Sequence, residues 1–504
     1  MPPCATLADL LARADPGHVA VILPENGSAT TYAPLSEQIE TLAGRLRLSG
    51  LRPGDVVAVV LPTGLEYLVA FLAATRARLV AAPLNPAYKA DEFRFFMEDA
   101  GVRAVIGPAE AHPVHDIARR LNLPTRTAAL DSRGKVQIRG DGLADTTAGS
   151  PEPPCSDDTA LFLHTSGTTS RPKGVPLTHG NLMASIGNIA AHYRLTADDT
   201  SLVVMPLFHV HGLIGATLST FHAGGAVVVP PRFSASAFWP TARQHRVTWY
   251  SAVPTIHQCL LYRADADDAP KQSGLRFIRS CSAALAPATL ADLESRFDAP
   301  VIEAYAMTEA SHQMTANPLP PGAHKPGSVG RGANVDVAIM DEAGQLLPVG
   351  SAGEVVVRGP NVTRGYHNNP EANATAFTNG WFRTGDRGML DGDDYLTLIG
   401  RIKELINRGG EKIAPLEVDA VLLSHPAVSE AASFGVPDSK YGEEVHAAVV
   451  LKSDTTVWDL EAHCRAQLAD FKVPKVIHLV KELPKGPTGK VQRRHLATLL
   501  RAAC

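Results

Sequence analysis

Residues 165–174 read Thr165-Ser166-Gly167-Thr168-Thr169-Ser170-Arg171-Pro172-Lys173-Gly174, directly behind Thr159-Ala160-Leu161-Phe162-Leu163-His164. The apolar run reads as a buried strand. The loop after it carries five hydroxyls, two glycines and two cations. Backbone N–H groups, hydroxyls and positive charge together suit a polyphosphate. A Gly-Lys-Ser/Thr ending at the P-loop spacing is absent, so this is a different phosphate loop. Alone it points to nucleotide phosphates and no further.

Outward from this loop the chain alternates strands and helices. Leu35, Ile39, Leu42 and Leu46 share one face of a helix over residues 35–48, and residues 56–61 form a buried strand. A helix over 66–77 and a strand over 79–84 follow. The pattern returns at 91–106 and at 202–229, where a strand at 202–205 and a helix over 212–222 precede a strand at 226–229. This order predicts α/β layers around largely parallel sheets. Residues 132–158, rich in Gly, Asp, Ser, Thr and Pro, read as a surface connection. From Val335 short strands and turns predict a small β subdomain. The expected architecture is a large N-terminal domain (1–400) of layered αβ subdomains plus that β subdomain. A small mobile α+β C-terminal domain (401–504) follows.

The chain of 504 residues is too long for one core. Its net charge of −4 gives no basic field for nucleic acid. Six scattered cysteines (Cys4, Cys155, Cys259, Cys281, Cys464, Cys504) fit neither a disulfide framework nor a zinc site, which suggests a reducing compartment. Met1-Pro2-Pro3-Cys4-Ala5 lacks a signal-peptide pattern, and no run of about 18 apolar residues suggests a membrane span. The ending Leu500-Arg501-Ala502-Ala503-Cys504 is not a Ser-Lys-Leu tripeptide. The cytoplasm is the expected location, and a monomer or weak dimer acting on small molecules the expected form.

Four further motifs stand in order. They are Pro206-Leu207-Phe208-His209-Val210-His211-Gly212, Tyr305-Ala306-Met307-Thr308-Glu309, Trp381-Phe382-Arg383-Thr384-Gly385-Asp386 leading to Gly400-Arg401-Ile402-Lys403-Glu404, and Pro484-Lys485-Gly486-Pro487-Thr488-Gly489-Lys490. With the phosphate loop they resemble the adenylate-forming superfamily of acyl-CoA synthetases, luciferases and adenylation domains, over essentially the whole chain. The resemblance implies that a carboxylate attacks the α-phosphate of ATP, giving an acyl-adenylate that coenzyme A then captures. Two anions must meet, so cations and oriented donors are needed.

The resemblance assigns roles by position. Thr165, Ser166, Gly167, Thr168, Thr169 and Lys173 would cradle pyrophosphate. Thr308 would touch phosphate and Glu309 would hold Mg²⁺. Glu303, Ala304 and Tyr305 would border the nucleotide, with Tyr305 stacked on adenine and Ala283 and Ala284 lining its pocket. Asp386, on a tight turn after Thr384-Gly385, would accept from the ribose hydroxyls, with Arg401 in support. Lys490 would bridge the attacking carboxylate and the α-phosphate, although most lysines are ordinary surface residues. Lys403 would be a hinge, and Arg408, Gly409 and Gly410 would line the coenzyme A tunnel in a second pose, where adjacent glycines let a thiol arm pass; a plain β-turn is the other reading.

The acid is read from His209, His211, Ser282 and His312. Histidines near the mouth suit a small polar acid better than a fatty chain. His209 and His211 are equally readable as packed or gating residues, with His209 near the reacting groups; Ser282 and His312 are the stronger acid contacts. The strings around residues 161–177, 249–258, 279–283, 303–310 and 400–412 resemble the oxalate–CoA ligase group. Malonyl-CoA synthetases share His-Val-His-Gly but carry an Arg where this chain has Ala304, and its loss removes a bidentate carboxylate ligand. Ligases for malonate, short or aryl acids, a carrier-loading adenylation enzyme and a non-catalytic relative are the competing readings. Intact Lys490, Glu309 and Asp386 speak against the last.

Overall fold

Leu35, Ile39, Leu42 and Leu46 are all buried, and they lay the helix Tyr32–Leu48 along the core behind Thr31, which starts it in an extended conformation. The helix Leu65–Arg76 is buried on nearly every side, as its unbroken apolar run requires. These helices and His179–His192 fill the space between two large sheets, and their side chains merge with both into one core. The computed structural model describes residues 6–131, 134–144, 146, 152–165, 172–266, 269, 272–486 and 489–501.

The nine-stranded sheet runs parallel from Val19–Leu23 through Ala226–Val228, Thr200–Leu202, Trp249–Ala252 and Phe277–Ser280 to Val301–Met307. Antiparallel strands close both edges. The seven-stranded sheet likewise has a parallel centre, with Val136–Gly140 and Gly174–Thr178 as antiparallel edges. Outer helices cover the far faces. Trp239, Tyr250 and Phe297 pack under the first sheet, and Phe93, Phe96 and Ile117 under the second. Parallel strands covered on both faces read as continuous apolar runs, as these do.

A five-stranded antiparallel sheet, Asp336–Met340, Ala352–Arg358, Phe377–Thr378, Trp381–Leu390 and Leu396–Arg401, follows the large layers. A second five-stranded sheet of residues 406–479, with the helices Pro415–Leu423, Val457–Gln467 and Arg493–Arg501, forms a small unit with its own core. The molecule is thus α/β, with a large N-terminal part and a small α+β C-terminal part.

Three local expectations change. The stretch 132–158 contains the edge strand Val136–Gly140, whose Val136 and Ile138 face the core. The strand at 202–205 ends at Leu202, and Val203–Met205 leaves the sheet toward the cleft. The helix expected over 212–222 begins as a wide π-type turn, His211–Leu218, before the α-helical Ser219–His222. Such widening is frequent at functional sites. A Cβ on Gly212 would lie 2.3 Å from the Met205 carbonyl oxygen, so only glycine lets this helix start so close to the preceding loop.

Asp199 anchors the edge of the layers. Its buried carboxylate accepts from Arg276 Nη1 at 2.7 Å through both oxygens and from the Thr248 hydroxyl at 2.7 Å. Asp199→Ala strips these donors of their acceptor and is expected to lower stability by about 3 kcal/mol, read as a lower thermal midpoint with the fold retained.

Candidate active site

The parallel strands of the first sheet end on one side, and the loops after them carry the polar residues: 203–211, 253–255, 281–284 and 308–312. Ligands of open α/β sheets bind at such carboxyl ends. The phosphate loop joins the antiparallel strands Thr159–His164 and Gly174–Thr178, with His164 paired to Gly174. Thr165 closes the hairpin by donating its N–H to the Lys173 carbonyl at 2.9 Å. Ser166, Gly167, Thr168 and Thr169 lie outside the described residues.

Lys173 reaches over the Tyr366 ring at 4.2 Å, and the Tyr366 hydroxyl donates to Glu309 Oε1 at 2.8 Å. Loss of water lowers the Lys173 pKa, and the Lys403 charge lowers it further against the pull of Glu309. Lys403 itself sits in the short turn Ile402–Glu404, exposed. Glu309 is buried at the turn Thr308–Ala310, and Tyr366 is the neutral donor that holds it. Thr308 stands beside it, half-buried.

Asp386 is the centre of the site. Its Oδ1 receives Arg401 Nε at 2.8 Å and its Oδ2 accepts from the Tyr305 hydroxyl. Burial raises its pKa, opposed by Arg401, Tyr305 and Lys490. The expected tight turn is absent. Thr384, Gly385 and Asp386 lie within the strand Trp381–Leu390, where the register to Ala352–Arg358 slips. Gly385 has φ +73°, the glycine of a bulge that re-aims the carboxylate. Tyr305 is buried, with its hydroxyl committed to Asp386.

Lys490 comes from the C-terminal part. It terminates a hairpin in which Gly486 N–H donates to the Lys490 carbonyl at 2.8 Å. A Cβ on Gly489, at φ +80°, would lie 3.0 Å from Thr255 Oγ1 and 3.2 Å from Val253 Cγ2. Glycine therefore lets the loop press on the large domain. Lys490 stays open to solvent. The cleft walls still strip enough water from its ammonium to lower its pKa, helped by Arg401 and opposed by Asp386 and Glu404. Burial, with a smaller push from the same ammonium, brings His209 down to about 4.

His209 accepts the His211 backbone N–H at Nδ1, 3.2 Å. His211, fully buried, meets Ser282 Oγ at 3.0 Å through Nδ1 and Ser251 Oγ at 2.7 Å through Nε2. The His312 ring lies 5.2 Å from the His211 ring. A Cβ on Gly215 would lie 2.3 Å from His312 Nε2, so the imidazole occupies space that glycine vacates. Burial drives the pKa of both rings well down, with Arg279 adding to it. Ser311 and His312 adopt φ of +52° and +105°, and Ser282 +72°. Strained non-glycine backbone of this kind concentrates at ligand sites. Ala283 and Ala284 lie exposed after Ser282. An open cavity of about 470 Å³ borders Phe208, Val253, Thr255 and Gly489.

Two groups stand apart. Arg408 pairs with Glu444 and covers the Tyr441 ring at 4.2 Å, and Gly409 N–H donates to the Tyr441 carbonyl, all within the C-terminal part. These contacts do not bring Arg408, Gly409 and Gly410 to Lys490. Glu303 is buried and accepts from Gly327 N–H at 3.1 Å, one strand pair below Ala304 and Tyr305. Sequence reasoning missed Tyr366, Ser251 and Arg279. Only Arg279 left a trace, as a cation inside the apolar strand Phe277–Ser280.

Burial lifts Glu303 to about 7. An unfolded glutamate titrates near 4.3, so the native chain keeps a proton that the unfolded chain has released. Stability contributed by protonated Glu303 is present at low pH and lost as pH rises from about 4.3 to about 7. Glu303→Gln removes that loss. The variant is expected to gain on the parent by about 3 kcal/mol between pH 5 and pH 8, seen in thermal midpoints across that range.

Residues 10–367 match the model of the AMP-binding enzyme family, and residues 417–490 that of the AMP-binding enzyme C-terminal domain. The chain is 52% identical over 478 residues to an oxalate–CoA ligase of Arabidopsis thaliana, with 93% of each chain covered. It is 45% identical over 518 residues to an oxalate–CoA ligase of Saccharomyces cerevisiae, covering 95% of this chain and 94% of that one. The fold matches ATP-bound MatB from Rhodopseudomonas palustris with a TM-score of 0.89 and 33% identity over 98% and 99% of the two chains. No helix among the described residues is long and apolar enough to cross a membrane. The chain belongs to the AMP-binding enzyme family.

Proposed function

We propose that this enzyme ligates oxalate to coenzyme A at the expense of ATP. In the first half-reaction an oxalate oxygen attacks the α-phosphorus, the bond to the β-phosphate oxygen breaks, and pyrophosphate leaves. In the second, the coenzyme A sulfur attacks the acyl carbon and AMP departs. The thiol proton is released. The observation that carries the acid assignment is the Ser282–His211–His312 cluster, a small polar patch of neutral groups. The two relatives named oxalate–CoA ligase support the same acid.

Each residue then has a task. Lys490 and Arg401 gather the negative partners, and oriented cations stabilise charge that builds only in the transition state. Asp386 keeps lone pairs for a ribose diol beyond those given to Tyr305 and Arg401. Thr308, Lys173 and the loop Thr165–Gly174 take the phosphates, and Ala283, Ala284, Ala304 and Tyr305 border the base. Glu309 fits Mg²⁺. Mg²⁺ asks for one or two carboxylates plus phosphate and water. Tyr366 occupies one Glu309 oxygen with a neutral donor and leaves the charge for a cation. Bound there, the metal would neutralise phosphate charge. His209, held neutral, offers a ring nitrogen beside Lys490.

The domain boundary is put at Gly400-Arg401, with Lys403 as hinge. Withdrawal of the Lys490 hairpin from Val253 and Thr255 would open the adjacent cavity to a pantetheine arm, and rotation would bring Arg408, Gly409 and Gly410 to its mouth. The four cysteines among the described residues are free thiols, in keeping with a reducing, cytoplasmic setting, and we take the form to be a monomer or weak dimer.

The deciding assay follows CoA-dependent AMP formation with oxalate, malonate, acetate, a medium-chain fatty acid and a cinnamate, with the thioester identified by mass. Oxalate is the expected preference, and a malonate preference would overturn the acid assignment. Lys490→Ala is expected to slow adenylate formation by about a hundredfold or more while sparing thioester formation from supplied acyl-adenylate. Equal loss of both steps would sink the two-pose mechanism. His312→Ala is expected to raise the KM for oxalate about tenfold with the KM for ATP little changed.

A further inference from the structure

Arg279 is a fully buried guanidinium whose recorded side-chain hydrogen bonds all go to uncharged groups. Nε donates to the Tyr193 hydroxyl, Nη1 to Ser251 Oγ and Nη2 to Gln313 Oε1, each at 2.9 Å. No carboxylate forms an ion pair with it among the described residues. A buried cation without an anionic partner is costly, so its retention calls for a reason. The bonds beyond it supply one.

Arginine can only donate, so Ser251 Oγ accepts from it. Ser251 is buried, and the acceptor recorded within reach of its own proton is His211 Nε2 at 2.7 Å. The large majority of buried side-chain polar groups are hydrogen-bonded, and the one acceptor in reach among the described residues assigns that proton to Nε2. A neutral His211 then carries its proton on Nδ1 and donates it to Ser282 Oγ at 3.0 Å. The Ser282 hydroxyl, half-exposed at the cleft, is left with its own proton to give. Each bond in this chain points outward from the guanidinium. Linked hydrogen bonds polarise one another, more so in a medium of low dielectric.

We propose that Arg279 is a positioning residue that, through Ser251 and His211, turns the Ser282 hydroxyl into a donor for the second carboxylate of the acid. This rests on the oxalate ligase reading and deepens it. The cation never touches the substrate. Its charge is delivered as a fixed dipole chain, while the neutral imidazoles of His211 and His312 keep the patch uncharged. A diacid gains a polarised donor for its far carboxylate, and a monoacid has no group to use it.

Ser251→Ala cuts the chain at one link and leaves the charge in place. In the full-length enzyme, its KM for oxalate is expected to rise about tenfold, as for a lost hydrogen bond to a charged group, with the KM for ATP and the turnover of acetate unchanged. Arg279→Met is expected to show the same loss of diacid preference. A folded Ser251→Ala enzyme with unaltered oxalate KM, or an equal fall for oxalate and acetate, would overturn the proposal. Selective ¹⁵N-histidine spectra of the parent protein give a readout that needs no acid. His211, assigned by difference from His211→Gln, is expected as the Nδ1–H tautomer, and an Nε2–H tautomer overturns the relay. A parent enzyme that ignores oxalate but shows the Nδ1–H tautomer would instead reject the acid assignment.

Discussion

The carboxylate of Asp386, held between the Tyr305 hydroxyl and the Arg401 guanidinium, is the contact on which the site depends. Tyr305 ends a strand of the nine-stranded sheet, Asp386 sits on the small antiparallel sheet, and Arg401 closes that sheet where the chain enters the C-terminal part. One buried anion thus joins three structural units. Burial raises its pKa, so the ionised form is kept by its neighbours rather than by water. Breaking either contact would leave a charge or a hydroxyl stranded. A bulge with a positive-φ glycine aims the carboxylate, which a regular strand could not do at that position.

Charge and neutrality are separated within the cleft. Lys173, Arg401 and Lys490 bring cations from three different elements toward Glu309 and Asp386. Beside them His209, His211 and His312 are held unprotonated by burial. Two polar regions of opposite character suit a nucleotide with several charges and a very small acid. A protonated histidine cluster would hold a dianion too firmly and compete with the phosphate side for it. Neutral imidazoles and hydroxyls bind through direction instead of net charge.

The elements with strong periodicity were legible in the sequence. Thr159–His164 and the face of Leu35, Ile39, Leu42 and Leu46 are local patterns, and the structure carries them as read. Val136–Gly140 escaped because an edge strand can be half polar. The strand through Asp386 escaped because Thr-Gly-Asp carries turn chemistry, and only pairing with Ala352–Arg358 makes it extended. Site residues within motifs, such as Lys490, Glu309 and Asp386, came from resemblance. So did Tyr305 and Arg401, the partners of Asp386, whereas Tyr366 and Arg279 did not. Tyr366 stands 57 residues from Glu309, and Arg279 lies 86 from Tyr193. Such contacts exist only once elements distant in the chain have packed together, and no spacing along the chain announces them.

Two glycines give the chemistry its geometry from opposite sides. Gly215 empties a space on the widened helix that the His312 imidazole fills, so helix and histidine share one volume. Gly489 lets the Lys490 hairpin lie against Val253 and Thr255, where any side chain would hold it away. The first is a permanent fit inside the large domain, surrounded by buried residues. The second is a surface contact between parts joined by little more than the Arg401 strand and its turn. In the proposed two-pose mechanism, a loop that leaves after the first half-reaction is better held by a shallow glycine contact than by interlocked side chains, since a weak contact costs little to break. Under the proposed mechanism, rigidity lies where the acid is recognised and looseness where the lysine is delivered.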